Sequence, residues 1–215
     1  FFLSKYELTR GQWQRLQRLG QATDLPAEAG DVLPQGGLLW GEARARLARL
    51  GLELPTSTQW EYAARAGSDG PFAVARDELR RHANLLDRRA IGERVVQRRY
   101  GDDWDDGFAA SAPVGSFEPN AFGLHDVHGN LWEWCSDLAE SYHDPATLEL
   151  LAEADLPEAD LTGALFDSGD VPARRIVRGG CYEEPSFGAR LSLRVNQQTL
   201  RANHTTGVRP ARRLR

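Results

Sequence analysis

Apolar residues recur at helical spacing in three early stretches of this chain, and the period then disappears. Thr9 is placed to cap a helix running through Gln12, Trp13, Leu16 and Leu19, because its hydroxyl can accept a backbone N–H of the first turn. The run 38–50 carries apolar residues at helical spacing with a basic opposite face, and Gly51 stops it. A third helix is expected within 55–67, with Thr56 as N-cap, Gln59 completing a capping box and Gly67 at its end. Before them, residues 1–9 read as an edge strand. Residues 20–37, rich in Gly, Pro and acids, read as a loop. From 71 to 110, Arg-rich helical pieces alternate with an acidic loop at 102–106. Residues 136–175 are acidic and poor in aromatics, which predicts an inserted loop with a short helix over 147–154. A strand at 175–180 and a long irregular tail complete the chain. The pattern predicts an α+β fold with much irregular structure, organised as one domain over residues 1–215.

Composition narrows the function. The hydrophobic fraction of 41% is enough for a core at this length, and the net charge of −5 argues against a general nucleic-acid binder. Lys5 is the only lysine, methionine is absent, and arginine supplies nearly all positive charge. That bias suggests a GC-rich genome, is compatible with a thermostable protein, and favours bidentate ion pairs. No apolar run is long enough to span a membrane, and no export signal is visible. Phage particle, cell surface and cytoplasm all stay open. The two cysteines, Cys135 and Cys181, read as reduced, half-buried thiols.

The most informative tract is 120–134. It combines turn glycines and two tryptophans with Asp126, Asn130 and Glu133, three side chains able to bind a cation. Such a mixture fits a buried, loop-rich scaffold pinned by polar groups or a metal, since irregular backbone must still satisfy its N–H and C=O groups. Trp40, Trp60, Trp132 and Trp134 read as core, with a sugar-stacking platform as the alternative. His82, His125, His128, His143 and His204 make no two-His–carboxylate motif at helical spacing.

Several blocks, taken in order, resemble the formylglycine-generating-enzyme (sulfatase-modifying factor) family: Lys5–Thr9, Leu54–Arg65, Pro119–Leu124, Gly129–Trp134, Arg178–Gly180 and Gly207–Arg209. The resemblance covers nearly the whole chain and implies a C-type-lectin-like fold. Members that oxidise a sulfatase cysteine use a closely spaced cysteine pair, whose thiolates bind copper(I). Counting back from Gly207, those places hold Ser186 and Leu191, so no copper and no catalytic residue are expected. The resemblance also implies structural calcium, a hard cation held by oxygens. One ligand set would be Asn84 and Asp106 with the backbones of Leu85 and Phe108. The other would be Asp126 and Glu133 with the backbones of Gly129 and Leu131.

The tail is similar in layout to the variable proteins of diversity-generating retroelements, which share this fold and are found in prophages among other settings. These proteins place mutagenised residues between an Arg-Gly-Gly block and a Gly-Phe-Arg block. Here residues 178–209 form that segment, in which Arg190, Arg194, Arg201 and Arg209 alternate with residues of no consistent chemistry. Mutation of the adenines of adenine-adenine-pyrimidine codons can reach Cys181, Tyr182, Phe187, Gly188, Leu193, Val195, Asn203 and His204. It cannot reach Glu183, Glu184, Gln197 and Gln198. The expectation is a non-enzymatic binder of a protein or other macromolecular target. The alternatives are a copper or iron oxidase or oxygenase with a non-standard site, or a carbohydrate-binding sensor.

Overall fold

The computed structural model describes residues 1–18, 31–93, 100–139 and 174–214. Local sequence signals set the helices. Helix α1 (Arg10–Arg18) begins at a reciprocal box: the Gln12 N–H donates to Thr9 Oγ1 at 3.2 Å, and the Thr9 N–H donates to Gln12 Oε1 at 2.9 Å. Helix α3 (Ser57–Arg65) repeats the device with Thr56 and Gln59 and ends on Ala66, which adopts the left-handed conformation at φ 47°. Helix α2 (Trp40–Ala48) is shorter than the periodic run that predicts it, because the chain turns at Leu50 and Gly51. A fourth helix, α4 (Arg88–Gly92), is capped by Asp87, whose carboxylate accepts from the Arg89 and Ala90 N–H groups.

The strands are short. β1 (Phe2–Leu3) pairs antiparallel with β8 (Ala211–Arg212), and β2 (Ala83–Asn84) pairs parallel with β3 (His128–Gly129). The main sheet holds β4 (Trp132–Leu138), β5 (Arg174–Arg178), β6 (Val195–Gln198) and β7 (Thr206–Gly207) in the order β6-β5-β4-β7. Successive residues on a strand face opposite sides. Trp134 and Val177 therefore enter one core cluster with Trp13, Trp40 and Leu47 of α1 and α2. Cys135 and Ile176 enter another with Trp60 and Ala63 of α3. The indoles satisfy their donors inside: Trp40 Nε1 donates to the Cys135 carbonyl at 2.8 Å, and Trp134 Nε1 donates to that of Leu38 at 2.9 Å.

Three expectations need correction. The segment expected to be an edge strand to Thr9 is regular only at Phe2–Leu3, because Glu7 turns inward and its carboxylate accepts from the Leu131 N–H and Asn130 Nδ2. The acidic insert is narrower than 136–175: residues 136–138 continue β4 and 174–175 begin β5, which pair across an irregularity in register. The remainder, including the expected helix over 147–154, lies outside the described residues. The tail is not irregular throughout; it supplies β6, β7 and β8.

One side chain joins the ends of the molecule. The Arg209 guanidinium, fully buried, donates to Glu133 (2.7 and 3.0 Å) and to the carbonyls of Ser4, Lys5 and His125. Glu133 also accepts from Trp60 Nε1 at 2.6 Å. Truncating such a partner leaves a buried charge uncompensated. We expect Arg209→Leu to cost about 3–5 kcal/mol of stability. Arg209→Lys, which keeps the charge but loses the planar fork, should cost about 1–3 kcal/mol. Urea unfolding of the three proteins checks both, and a loss under about 1 kcal/mol for the leucine variant would refute this role.

Candidate ligand-binding site

The C-terminal segment folds over one end of the main sheet. After β5, Gly179 and Gly180 take φ of 94° and 83°. A Cβ on Gly180 would stand 3.0 Å from Ala189 Cα, so only glycine lets residues 180 and 189 lie this close. A 3-10 turn at Ser186–Ala189 follows, then β6, and then the loop 199–205, which crosses from β6 at one edge to β7 at the other. That loop is seated against Gly36, where a Cβ would fall 2.0 Å from the His204 carbonyl oxygen. It is also held by hydrogen bonds from the Gly37 N–H to the Asn203 carbonyl and from the Trp132 N–H to the Thr205 carbonyl.

Between this loop, the 3-10 turn and the sheet lies a cavity of about 770 Å³, within the usual range of ligand pockets. Its apolar wall is Trp132, Val177, Leu193 and Val195. The cavity is also lined by Arg174 of β5, Gln197 and Gln198 of β6, Arg201 of the loop, and Glu184, Phe187 and His204. His204 Nε2 lies 2.9 Å from Glu183 Oε1. The wall is positioned through its backbone. Buried Arg178, stacked 5.2 Å from the Trp60 ring, donates to the Leu193 carbonyl at 2.6 Å and to Glu61.

The structure brings Phe187, Gly188, Leu193, Val195, Asn203 and His204 together around this cavity. Phe187 and His204 are well exposed. Cys181 and Tyr182 require correction: they are 2% and 8% exposed and do not line the cavity, because the chain plunges into the core directly after Gly180. The cavity gains residues that codon reasoning set aside or passed over: Glu184, Gln197 and Gln198, with Arg174 and Val177 from β5. Pairing of β5 with β6 brings the last two there, and a long-range register of this kind has no local signature in the tail.

Neither cysteine reaches the cavity. Burial pushes the Cys181 thiol up to about 12 and raises that of Cys135 well above its usual value, so the thiolate that soft-metal chemistry requires is disfavoured at both. Ser186 is buried, its N–H and hydroxyl donating to Asp102 at 2.6 and 2.7 Å, and Leu191 is core.

The oxygens expected to hold calcium differ between the two sets. Asn84 Oδ1 is buried with no partner, beside an Asp106 carboxylate that accepts from the Leu85 and Phe108 N–H groups. Burial, with Asp87 nearby, pushes that carboxyl up to about 7. An orphaned amide oxygen and a carboxylate lacking a counter-charge fit a hard cation. In the second set Asp126 Oδ1 is also without a partner, but Glu133 is already neutralised by Arg209, which makes a poorer fit. Among the described residues no three His, Cys, Asp or Glu side chains cluster as metal ligands, so backbone and amide oxygens would have to complete either set.

With the geometry established, comparison places it. The mixed helix-and-strand architecture is that of the sulfatase-modifying-factor fold. Residues 1–214 match the family model "Sulfatase-modifying factor enzyme 1-like domain", and the chain belongs to this family. It is 34% identical over 148 residues to the formylglycine-generating enzyme of Streptomyces coelicolor, an alignment covering 66% of this chain and 40% of that enzyme. The chain therefore spans well under two-thirds of that relative. The structure of PvdO from Pseudomonas aeruginosa superposes with a TM-score of 0.70 at 25% identity, covering 99% of this chain and 80% of PvdO. Treponema denticola variable protein 1 superposes at 0.65 with 18% identity, covering 97% and 82%, which is a likeness of fold alone. Among the described residues no helix is long and apolar enough to cross a membrane.

His128 ties framework to site. Its Nε2 lies 3.0 Å from the Ala73 N–H, a donor, so Nε2 must accept and Nδ1–H must donate to the Ala189 carbonyl at 3.0 Å. Burial pushes this imidazole down to about 4. A depressed histidine contributes stability that is fully present above its ordinary value of 6.5 and is lost as pH falls through the folded value. The full loss is about 3 kcal/mol. Imidazole ¹⁵N NMR should therefore show the neutral Nδ1–H tautomer unchanged from about pH 8 to 5; titration near the free-histidine value would contradict this arrangement.

Proposed function

We propose that this domain is a non-enzymatic binding module whose segment 178–209 presents a retroelement-diversified surface on a C-type-lectin-like framework, with a protein as its target. One observation carries the reading. The cavity walls are fixed through backbone groups, to Arg178, Gly36, Gly37 and Trp132, and through Asn203 Oδ1, which accepts from the Thr205 N–H and hydroxyl, while the side chains of Phe187 and His204 are left exposed at the cavity. A surface held in this way can change its side chains without losing its shape. The shared fold with a variable protein, and a cavity that no thiol lines, support the same reading.

Sequencing tests the diversification. We expect a near-identical template repeat differing at adenines, with a reverse transcriptase, beside the gene. Isolates should differ at exposed cavity positions; absence of both elements defeats this part of the proposal. Folding tests the tolerance. Phe187→Ala and His204→Ala should each change stability by no more than about 0.5 kcal/mol, whereas Tyr182→Ser should cost about 2–4 kcal/mol. Denaturant titration measures both, and equal losses at exposed and buried positions would contradict the proposal.

We further propose a structural calcium ion on Asn84 and Asp106 with the Leu85 and Phe108 carbonyls. Binding to the folded state alone raises the thermal midpoint. Millimolar calcium should therefore raise it relative to chelator in the native protein and leave it unmoved in Asp106→Asn. No calcium effect on the native protein removes the ion from the account.

A further inference from the structure

A second cavity, of about 560 Å³, shares no described lining residue with the first. Helix α1 presents Gln12, Arg15 and Leu16 to it, three and four residues apart and so on one face. Helix α2 closes in a Schellman turn. The Leu52 N–H donates to the Leu47 carbonyl at 3.1 Å and the Gly51 N–H to that of Ala48 at 2.9 Å, with Gly51 at φ 66°. This turn brings Leu52 back toward Leu47 and leaves Leu50 half exposed at the mouth. Strands β1 and β8 supply the other side. Phe2 stands opposite Arg212 and Leu3 opposite Ala211, so each pair shares a face. Leu3 packs on the cluster around Trp60, whereas Leu8, Leu16, Leu47 and Val208 belong to the cluster of α1 and α2. The face bearing Phe2 and Arg212 is therefore the one turned toward these leucines, and both residues line the cavity.

We infer that this cavity binds a single-chain aliphatic carboxylate, with the tail on the leucines and the carboxylate at the solvent side. Polar groups here are few and largely engaged. Gln12 Oε1 accepts from the Thr9 N–H, the Ser4 N–H donates to the Pro210 carbonyl, and the Ser4 carbonyl accepts from Arg209. A sugar or a peptide backbone would lose its hydration and find little in exchange. An aliphatic chain needs only contact and exclusion of water, which Leu8, Leu16, Leu47 and Leu52 provide. The volume is that of a small-molecule pocket. Among the described lining residues there are two arginines, Arg15 and Arg212, and no acid. Both are exposed. Arriving from different elements, they set a positive potential over the mouth, which selects an anionic head group.

Isothermal titration with octanoate, decanoate and dodecanoate, each below its micelle concentration, tests this. We expect saturable one-to-one binding that tightens about fourfold per methylene. At low salt decanoate should bind at least about fivefold more tightly than decyltrimethylammonium, which has the same chain and the opposite charge. Leu50→Asp should weaken decanoate at least about tenfold. Phe122→Asp, at an exposed aromatic outside the lining, should leave it unchanged. Arg15→Glu/Arg212→Glu guards against a folding artefact, because it should turn the preference toward the ammonium. Absence of saturable binding overturns the inference, as does affinity that is flat with chain length. So does equal weakening by the two aspartate variants, or a carboxylate preference that survives charge reversal. If no carboxylate binds and Leu50→Asp instead dissociates a dimer, a second copy fills the groove and the inference falls. The reading of residues 178–209 is tested separately, since the two cavities have no described lining residue in common.

Discussion

A single buried guanidinium sets the terms for the rest of the structure. Arg209 reaches four separated parts of the chain: the N-terminal carbonyls of Ser4 and Lys5, the carbonyl of His125, Glu133 on β4, and its own place between β7 and β8. Lysine could not do this, since it offers three donors from one point and not five from a rigid fork. The surroundings are acidic. Glu7 and Asp126 are also buried nearby; burial raises both carboxyls above their ordinary values, with Asp126 and Glu133 adding to the rise at Glu7 and Glu133 to that at Asp126. The core thus holds more potential negative charge than Arg209 alone offsets. Protons on Glu7 and Asp126 are one way to balance it, and a cation near the unpartnered Asp126 Oδ1 is another.

That charged hub frees the opposite region from structural duty. The short strands leave little regular hydrogen bonding, so side-chain to backbone bonds do the fixing. Arg178 holds the Leu193 carbonyl, His128 holds that of Ala189, and Asp102 holds both donors of Ser186. Each anchor is itself buried or nearly so, and each grips main chain or a small hydroxyl group. The large exposed side chains of the segment take no part in them. On the binding reading, stability and recognition would be carried largely by different residues within the same thirty-odd positions, which is the physical condition for a surface that can vary.

What could be read from the sequence follows the same division. The Thr9 cap and the Thr56/Gln59 capping box were legible because donor and acceptor lie within one turn. The tryptophan core was legible because four large aromatics in a chain of modest hydrophobicity have few other places to go. The inward turn of Glu7 was not, since its partner Asn130 is 123 residues away. Strands β6, β7 and β8 escaped for a similar reason: segments of two to four residues owe their conformation to the strand beside them. The site was half legible. Phe187, Asn203 and His204 follow from the layout of the tail, while Gln197 and Arg174 depend on cross-strand register. Codon reachability says nothing about burial, and that is why Cys181 and Tyr182 were grouped with them.

Chemistry at the cavity is limited by where the reactive groups ended up. A thiol acts as nucleophile or soft-metal ligand through its thiolate, and both thiols here are held protonated by burial among apolar side chains. Among the described residues the one imidazole lining the cavity, His204, is paired with Glu183, and His128 is sealed beneath the 3-10 turn with both nitrogens committed. Among the described residues, guanidinium, amide, carboxylate, imidazole, aliphatic and aromatic groups line the space. These groups bind by charge, hydrogen bonding and contact area, and their pattern is set by which side chains line a fixed wall. On the binding reading proposed above, a fold shared with formylglycine-generating enzymes would supply, with both thiols buried away from the cavity, a shaped recess in which selectivity is changed residue by residue.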